Sequence, residues 1–168
     1  TAASLGVVCV ETLANKLKSD LGRNPERDSG QALQELTRAA AKVKHLEDHD
    51  LTPYVICGNG LNDLPVLHSW QDDGGRYITM GQVFTQDPDS KNQNCGMYRL
   101  QVVDEETALV RFHPGSGGGI HLQAWHAYGS SMPIAIALGG PPALTWCAGL
   151  SLPSGVTETA FTSYLTGQ

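Results

Sequence analysis

The chain of 168 residues is poor in positive charge and contains no long apolar run. It carries 11 Lys and Arg against 17 Asp and Glu, so its formal net charge at pH 7 is −6. A general nucleic-acid or anionic-membrane surface needs clustered Lys and Arg, and this balance argues against both. No apolar segment approaches the length of a membrane span, and residues 132–138 predict only a short buried strand.

Cysteine is also scarce, and the four cysteines are widely separated: Cys9, Cys57, Cys95 and Cys147. They form no CxxC pair, which excludes the usual signature of a zinc knuckle or a thioredoxin-like site. The spacing is typical of reduced thiols in a cytoplasmic protein, and no secretory signal peptide is evident. The chain begins at Thr1 without an initiator Met and ends at Gln168, so we expect a processed or truncated piece of a longer protein.

What is present is the composition of a soluble globular domain, with 40% apolar and 17% charged residues. Apolar residues recur every three or four positions over 4–21 and 29–46, which predicts two helices around a polar loop at 22–28. From residue 52, short β-branched and aromatic runs alternate with Gly-, Pro- and Asp-rich turns. The sequence therefore predicts an α+β fold in which helices precede a region of short strands.

Five strands and three helices are predicted in this second region. We expect strands at 54–56, 77–85, 97–103, 108–112 and 133–138, with the third and fourth paired across 104–107. We expect helices at 121–128, after the 139–142 turn through 150, and from about Glu158 onward. Ser154 or Thr157 is the predicted cap of the last helix, where the Glu158 carboxylate would complement the helix dipole.

One stretch concentrates side chains that bind anions: Asn94 to Arg99, Arg111 to His113, and the glycine run at 115–119 that leads into Ile120 and His121. Glycine allows close approach of the backbone, Arg and His bind oxyanions, and a helix N-terminus favours phosphate. Strand alternation also predicts Arg99, Gln101 and Arg111 on one face of the hairpin. We therefore hypothesise that this stretch binds a phosphorylated cofactor. Surface arginines beside a simple glycine linker would give the same pattern, and both interpretations stay open.

From Leu51 to Gln168 the chain resembles the UbiD family of decarboxylases, whose cofactor is prenylated FMN. Six blocks carry the resemblance in order: 63–65, Trp70 with 73–79, 94–99, the glycine run into Ile120-His121, 133–139, and Pro153 with Gly155 and Glu158. The resemblance implies a flavin-reductase-like split β-barrel with surrounding helices over 51–168. Residues 1–50 would be a helical N-terminal approach segment, and the family's C-terminal oligomerisation domain would be absent.

The resemblance also implies which residues form the functional site. It implies cofactor-binding roles for Asn94, Met97, Tyr98, Arg99, Arg111, Phe112, His113, Gly119, Ile120, His121 and Glu158. Asn94, His121 and Glu158 match the family's ligands for a divalent ion, usually Mn²⁺, with K⁺ or a similar monovalent ion nearby. These oxygen and nitrogen donors suit such an ion. Arg99 corresponds to the catalytic arginine that holds the substrate carboxylate, which a planar guanidinium can do in bidentate fashion.

The implied function is reversible decarboxylation of aromatic or α,β-unsaturated carboxylic acids, with a flavin prenyltransferase as the cofactor supplier. The full-length protein would be a homo-oligomer. The family's acidic catalytic residues lie downstream of the Glu158 helix, so the chain alone is expected to be inactive. The chain departs from the family pattern in two places: Pro141 replaces a residue that is usually acidic, and Thr162 and Ser163 replace a pair of small residues. Cys95 is either a reactive thiol or an inert one, and its position favours the inert thiol. The alternatives are a non-catalytic protein that binds flavin or phosphate and is completed by a partner chain, or an FMN-dependent flavin reductase.

Overall fold

The computed structural model of the chain describes residues 60–153 and 155–166. The predicted helices at 4–21 and 29–46, the predicted strand at 54–56 and the domain boundary at residue 50 lie outside the described residues. The described part comprises a 3₁₀ turn at Gly60–Asp63, six strands and three helices. They are β1 (Arg76–Ile78), β2 (Gln82–Gln86), β3 (Gln93–Met97), β4 (Leu100–Val102), β5 (Ala108–Val110), α1 (Gly117–Tyr128), β6 (Ala135–Ala137), α2 (Pro142–Cys147) and α3 (Glu158–Thr166).

The strands form two antiparallel sheets of three strands each, in the orders β1-β4-β5 and β3-β2-β6. In the first sheet Leu100 lies opposite Val110, which confirms the predicted hairpin. In the second sheet β2 is central, and Thr85 lies directly opposite Asn94 on β3. Two antiparallel sheets with separate helices confirm the α+β class.

Two predicted strands are each divided between the sheets, which corrects the sequence-based prediction. The predicted strand 77–85 ends as β1 at Ile78 and resumes as β2 at Gln82. The predicted strand 97–103 begins with Met97, the last residue of β3, and resumes as β4 at Leu100. At the first break, a Cβ on Gly81 would lie 2.9 Å from Leu100 Cδ1, so glycine makes room for the crossing. Strand propensity is similar on both sides of each break and does not show where the chain changes sheet.

The strand predicted at 133–138 is also different, because β6 covers only Ala135–Ala137 and lies at a sheet edge. Ile136 on this strand is 40% exposed, and the flanking Ile134 and Leu138 are exposed as well. The prediction of a buried strand is therefore wrong for the part of the chain that the structure describes. An apolar run predicts a strand that the rest of the fold covers. Among the described residues, no element covers β6 fully.

Helix α1 begins four residues earlier than predicted, inside the glycine run. Ser116 caps it, since its Oγ accepts a hydrogen bond from Gly119 N at 3.1 Å, and Gly129 ends it with a left-handed φ of 79°. Glycine disfavours helices, which explains the late predicted start. Trp125 Nε1 donates to Gln86 O at 2.7 Å and ties the helix to β2. No helix within the described residues is long and apolar enough to cross a membrane.

A small apolar cluster holds α2 and α3 together. Its buried members are Cys147, Val156, Phe161 and Leu165, with Leu150, Leu152 and Tyr164 packed against them. Burying a side chain such as Phe161 or Leu165 is worth about 1.5–3 kcal/mol. This cluster fixes α3 and therefore the position of Glu158, its first residue.

Candidate functional site

A cavity of about 630 Å³ lies between the β2–β3 turn, the N-terminus of α1 and the segment from Ala148 to Glu158. Six of the predicted site residues line it: Asn94, Met97, Tyr98, Ile120, His121 and Glu158. They come from β3 and the residues just after it, from α1 and from α3. The fold thus brings together side chains that are up to 64 positions apart in the sequence.

Asn94 occupies the cavity wall where β3 meets the start of α1. Its Nδ2 donates to Thr85 Oγ1 at 3.4 Å, across the β2–β3 pair. A Cβ on Gly117 would overlap Asn94 Oδ1, so the amide can pack against the helix only because residue 117 is glycine. The glycine run is therefore a packing requirement of the site.

His121 lies on α1 and is only 8% exposed. Its Nδ1 is 2.9 Å from Thr85 Oγ1, which leaves Nε2 as the ring nitrogen without a hydrogen bond among the described residues. Burial lowers the pKa of His121, and the opposing effects of the Asp87 and Glu158 carboxylates are smaller. The ring is consequently neutral near pH 7, the state in which imidazole can bind a metal ion.

Glu158 connects α3 to the edge of β3. Its Oε2 accepts a hydrogen bond from Cys95 N at 2.8 Å, although the two residues are distant in sequence. The cap of this helix is Thr157, whose Oγ1 accepts from Ala160 N at 3.2 Å. This confirms Thr157 as one of the two predicted caps, while Ser154 lies outside the described residues. The Glu158 carboxylate is therefore directed across to β3 as well as lining the cavity.

Cys95 is buried beneath this carboxylate and is 2% exposed. Burial, the Glu158 carboxylate and Cys147 raise the pKa of the Cys95 thiol to about 12. Burial likewise raises the pKa of Cys147, and both cysteines are free thiols. A thiol with so little thiolate is a poor nucleophile, which favours the inert interpretation of Cys95.

Four predicted cofactor residues form a support around the start of α1. Tyr98 Oη accepts a hydrogen bond from Gly118 N at 3.0 Å, and the Phe112 ring packs edge-on against Tyr98 at 4.7 Å. A Cβ on Gly119 would overlap the carbonyl oxygen of His113. Phe112, His113 and Gly119 do not line the cavity but hold the helix N-terminus against it.

The two predicted arginines are not brought to the cavity. Arg99 is exposed, and its guanidinium carbon lies 4.4 Å from the centroid of the Tyr77 ring. Arg111 is exposed beyond the end of β5. Gln101, predicted on the same face, donates to Gly74 O at 2.7 Å. The roles assigned to Arg99 and Arg111 stay predictions.

Two further residues, Thr85 and Asp87, are not predicted by the sequence and lie on the same side of β2 and its continuation. Thr85 is 3% exposed and contacts both Asn94 and His121, whereas Asp87 lines the cavity itself. Asp87 Oδ1 accepts from Ser90 N at 2.7 Å and from Asp89 N at 3.0 Å. These bonds, chiefly those from Ser90, lower the pKa of Asp87. The alternation of Thr85 and Asp87 is the available signal, but the sequence predicts Thr85 only as the end of a strand and Asp87 only as part of an Asp-rich turn.

No group of three or more His, Cys, Asp and Glu side chains with the spacing of a metal site occurs within residues 60–153 and 155–166. The predicted donor set differs from such a group because one of its three members is an amide, that of Asn94. All three members line the same cavity. An imidazole nitrogen, a carboxylate and an amide oxygen form a mixed donor set that fits a borderline-to-hard divalent ion.

Known proteins resemble the chain over this same region. A family model described as UbiD: 3-octaprenyl-4-hydroxybenzoate carboxy-lyase Rift-related domain matches residues 44–168. A protein of Aquifex aeolicus is 44% identical over 108 residues, which are 64% of this chain and 22% of that protein. A 4-hydroxybenzoate decarboxylase subunit from Chlamydia pneumoniae is 37% identical over 116 residues, 68% of this chain and 20% of that one. The chain thus spans about a fifth of the length of these relatives.

Solved structures of the UbiD-class enzyme HmfF from Pelotomaculum thermopropionicum share the fold. The complex with FMN superposes with a TM-score of 0.70 at 24% identity, covering 98% of this chain and 34% of that one. An evolved dimeric form in complex with prFMN gives a TM-score of 0.65 at 25% identity, covering 98% and 35% of the two chains. Since the family model also covers every described residue of the cavity, the chain belongs to the UbiD family.

Proposed function

We propose that the chain is the cofactor-binding portion of a UbiD-like decarboxylase that acts reversibly on aromatic or α,β-unsaturated carboxylic acids. The cofactor would be prenylated FMN, held together with a divalent metal ion. The observation that carries the proposal is the convergence of Asn94, His121 and Glu158 on one cavity. The FMN and prFMN complexes of HmfF support a flavin at this kind of domain.

The start of α1 supports a phosphate group at one end of the cavity. In its first turn Gly118 N donates to Tyr98 Oη and Gly119 N donates to Ser116 Oγ. Gly117 lines the cavity, and its N–H has no hydrogen bond among the described residues. A free N–H at the positive end of a helix is well suited to an anion.

The three donors suit a divalent ion such as Mn²⁺ next to that phosphate. His121 is neutral and has Nε2 available, Glu158 contributes negative charge, and no described residue donates a hydrogen bond to Asn94 Oδ1. The ion would offset repulsion between phosphate and carboxylate. A monovalent ion such as K⁺ near the Cys95 backbone belongs to the same proposal.

The prenylated flavin, when bound, would supply the covalent chemistry that releases CO₂. The chain's own residues would bind and orient it: Tyr98, backed by Phe112, would form one wall, and Met97 and Ile120 would add apolar contacts. Arg99 would hold the substrate carboxylate through two parallel hydrogen bonds, for which its guanidinium must leave the Tyr77 ring. Proton donation would fall to acidic residues outside this chain, so we expect the chain alone to be inactive.

The remaining assignments follow from the same proposal. The two three-stranded sheets would be parts of a split β-barrel like that of flavin reductases. The complete protein would be a homo-oligomer in the cytoplasm, supplied with cofactor by a flavin prenyltransferase. The dimeric form of HmfF is consistent with oligomerisation.

A second candidate is a non-catalytic protein whose partner chain completes the active site. The observation that favours it is the relative from Chlamydia pneumoniae, whose name makes it one subunit of a decarboxylase. Decarboxylation that appears only when a separate polypeptide is added to the chain would support this candidate over the first.

Flavin retention tests the shared part of both candidates. We expect the chain with prenylated FMN and Mn²⁺ to keep a flavin absorption spectrum through gel filtration. Asn94→Ala and Glu158→Ala should each abolish retention, because each removes a metal donor. Glu106→Ala is the matched control, since Glu106 is exposed and does not line the cavity. Unchanged retention in both site variants would overturn the proposal, and NADH-dependent flavin turnover would favour a flavin reductase instead.

A further inference from the structure

We infer that Thr85 is a positioning residue that holds the His121 imidazole and the Asn94 amide in the orientations that the metal and cofactor site requires. This inference rests on the proposed function, and it concerns a residue for which the sequence predicts no role. Thr85 does not line the cavity, so it can act only through its two neighbours.

Thr85 lies where three elements meet. It is on the central strand β2, directly opposite Asn94 on β3, and beneath His121 on α1. Its hydroxyl is within hydrogen-bond distance of His121 Nδ1 at 2.9 Å and of Asn94 Nδ2 at 3.4 Å. Two of the three proposed metal donors therefore share one buried oxygen atom.

The Asn94 contact determines which amide atom is available. An amide has a donor end and an acceptor end, and only the oxygen can bind a cation. Because Nδ2 is directed to Thr85, Oδ1 is turned the other way, towards Gly117 at the start of α1. If the Thr85 oxygen were removed, this contact would no longer favour one orientation of the Asn94 amide over the other.

The His121 contact determines which ring nitrogen is available. A hydroxyl has one proton and two lone pairs, and Asn94 uses one lone pair. If His121 Nδ1–H donates to the second lone pair, Nε2 keeps its own lone pair and can bind a cation. If the Thr85 hydroxyl donates to Nδ1, Nε2 carries the proton and can only donate to an anion. Binding of a cation by His121 Nε2 therefore requires the first arrangement, in which Thr85 Oγ1 accepts both hydrogen bonds.

Valine at position 85 tests this inference because it has the same shape and lacks the hydroxyl. The measurement is Mn²⁺ affinity in the presence of FMN, followed by the electron paramagnetic resonance signal of free Mn²⁺. We expect Thr85→Val to weaken Mn²⁺ binding about 10- to 100-fold, the usual effect of losing a group that orients a metal ligand. Thr85→Ser keeps the hydroxyl and should bind nearly as tightly as the wild-type chain. Thr79→Val, at an exposed position between β1 and β2, is the matched control for the substitution itself.

A second measurement does not depend on how well a variant folds. In the wild-type chain with FMN and Zn²⁺ as a diamagnetic probe, the ¹⁵N shifts of His121 should report a protonated Nδ1 and a metal-bound Nε2. Equal Mn²⁺ affinity in Thr85→Val and Thr85→Ser, or a metal-bound Nδ1, would overturn the inference while leaving the proposed function intact. A wild-type chain that binds neither Mn²⁺ nor FMN would overturn the proposed function, and the inference with it.

Discussion

The cavity wall and the outer face of the first sheet use polar residues in opposite ways. At the cavity, Thr85, Asn94 and His121 are buried or half-buried and share hydrogen bonds in a fixed arrangement. At the first sheet, Arg99 is exposed and rests on the ring of Tyr77. Buried polar groups must be paired and are therefore held in place, whereas exposed ones can change partner at little cost.

The two regions nevertheless share one short stretch of sequence. Asn94 and Arg99 are five residues apart, yet the chain leaves the second sheet at Met97 and enters the first at Leu100. Side chains on either side of this crossing are directed to different parts of the molecule. A compact sequence motif is therefore split into a hydrogen-bonded half at the cavity and an exposed half outside it.

The half at the cavity should tolerate added volume least. A Cβ on Gly117 would overlap Asn94 Oδ1, so we expect Gly117→Ala to destabilise the chain by about 1–3 kcal/mol, the usual cost of overpacking. The sign of this change in the free energy of unfolding is informative, because alanine would otherwise stabilise a helix by up to about 1 kcal/mol relative to glycine. Urea denaturation measures the difference.

Gly115 provides the control for that experiment, since a Cβ there would meet nothing within 4 Å. We expect Gly115→Ala to change the free energy of unfolding by no more than about 0.5 kcal/mol. If Gly117→Ala were as harmless as Gly115→Ala, the wall around Asn94 would be adaptable and the contrast between the two regions would fail.

The pH dependence of stability tests the burial of His121. Its pKa is lowered by burial, so below the usual value of about 6.5 the unfolded chain takes up a proton that the folded chain resists. Stability should be complete above this value and fall as the pH drops below it. Hydrogen bonds lower the pKa of Asp87 and Asp104, so their carboxylates affect stability only at more acidic pH.

We expect His121→Gln to flatten the stability curve between about pH 7 and 5.5, whereas Gln123→Ala, at an exposed and uncharged position on the same helix, should leave its slope unchanged. Thermal unfolding at a series of pH values measures both. A slope that is the same in the two variants would contradict the burial effect at His121.

The smallest effect is expected outside the cavity. An exposed cation–π contact is worth about 0.5–1 kcal/mol, so Arg99→Ala and Tyr77→Leu should each cost no more than that, and the double variant little further. Flavin retention should fall less in Arg99→Ala than in Glu158→Ala. Complete loss of retention would show that Arg99 turns into the cavity when the cofactor binds, and the two regions would then function as one.

The sequence predicted several residues that the fold brings to one cavity, and it predicted less of the path of the chain. Six cavity residues, the β4–β5 hairpin and the Thr157 cap were predicted, because each depends on a local pattern or on the resemblance to UbiD proteins. The division of the strand at 77–85 was not, since nothing in strand propensity indicates where the chain changes sheet. Thr85 was missed because a buried threonine in a strand is ordinary until its two partners are known.

The hydrogen bond from Cys95 N to Glu158 also protects a sheet edge. Strand β3 is the outer strand of its sheet, and its outward N–H groups at Cys95 and Met97 are bonded by Glu158 Oε2 and by Ala148 O. Unpaired edges invite pairing with another chain. Removing the carboxylate would therefore expose the strand to self-association as well as remove one of the proposed metal donors. Glu158→Gln, which keeps an acceptor oxygen for Cys95 N, is the variant that separates these two consequences.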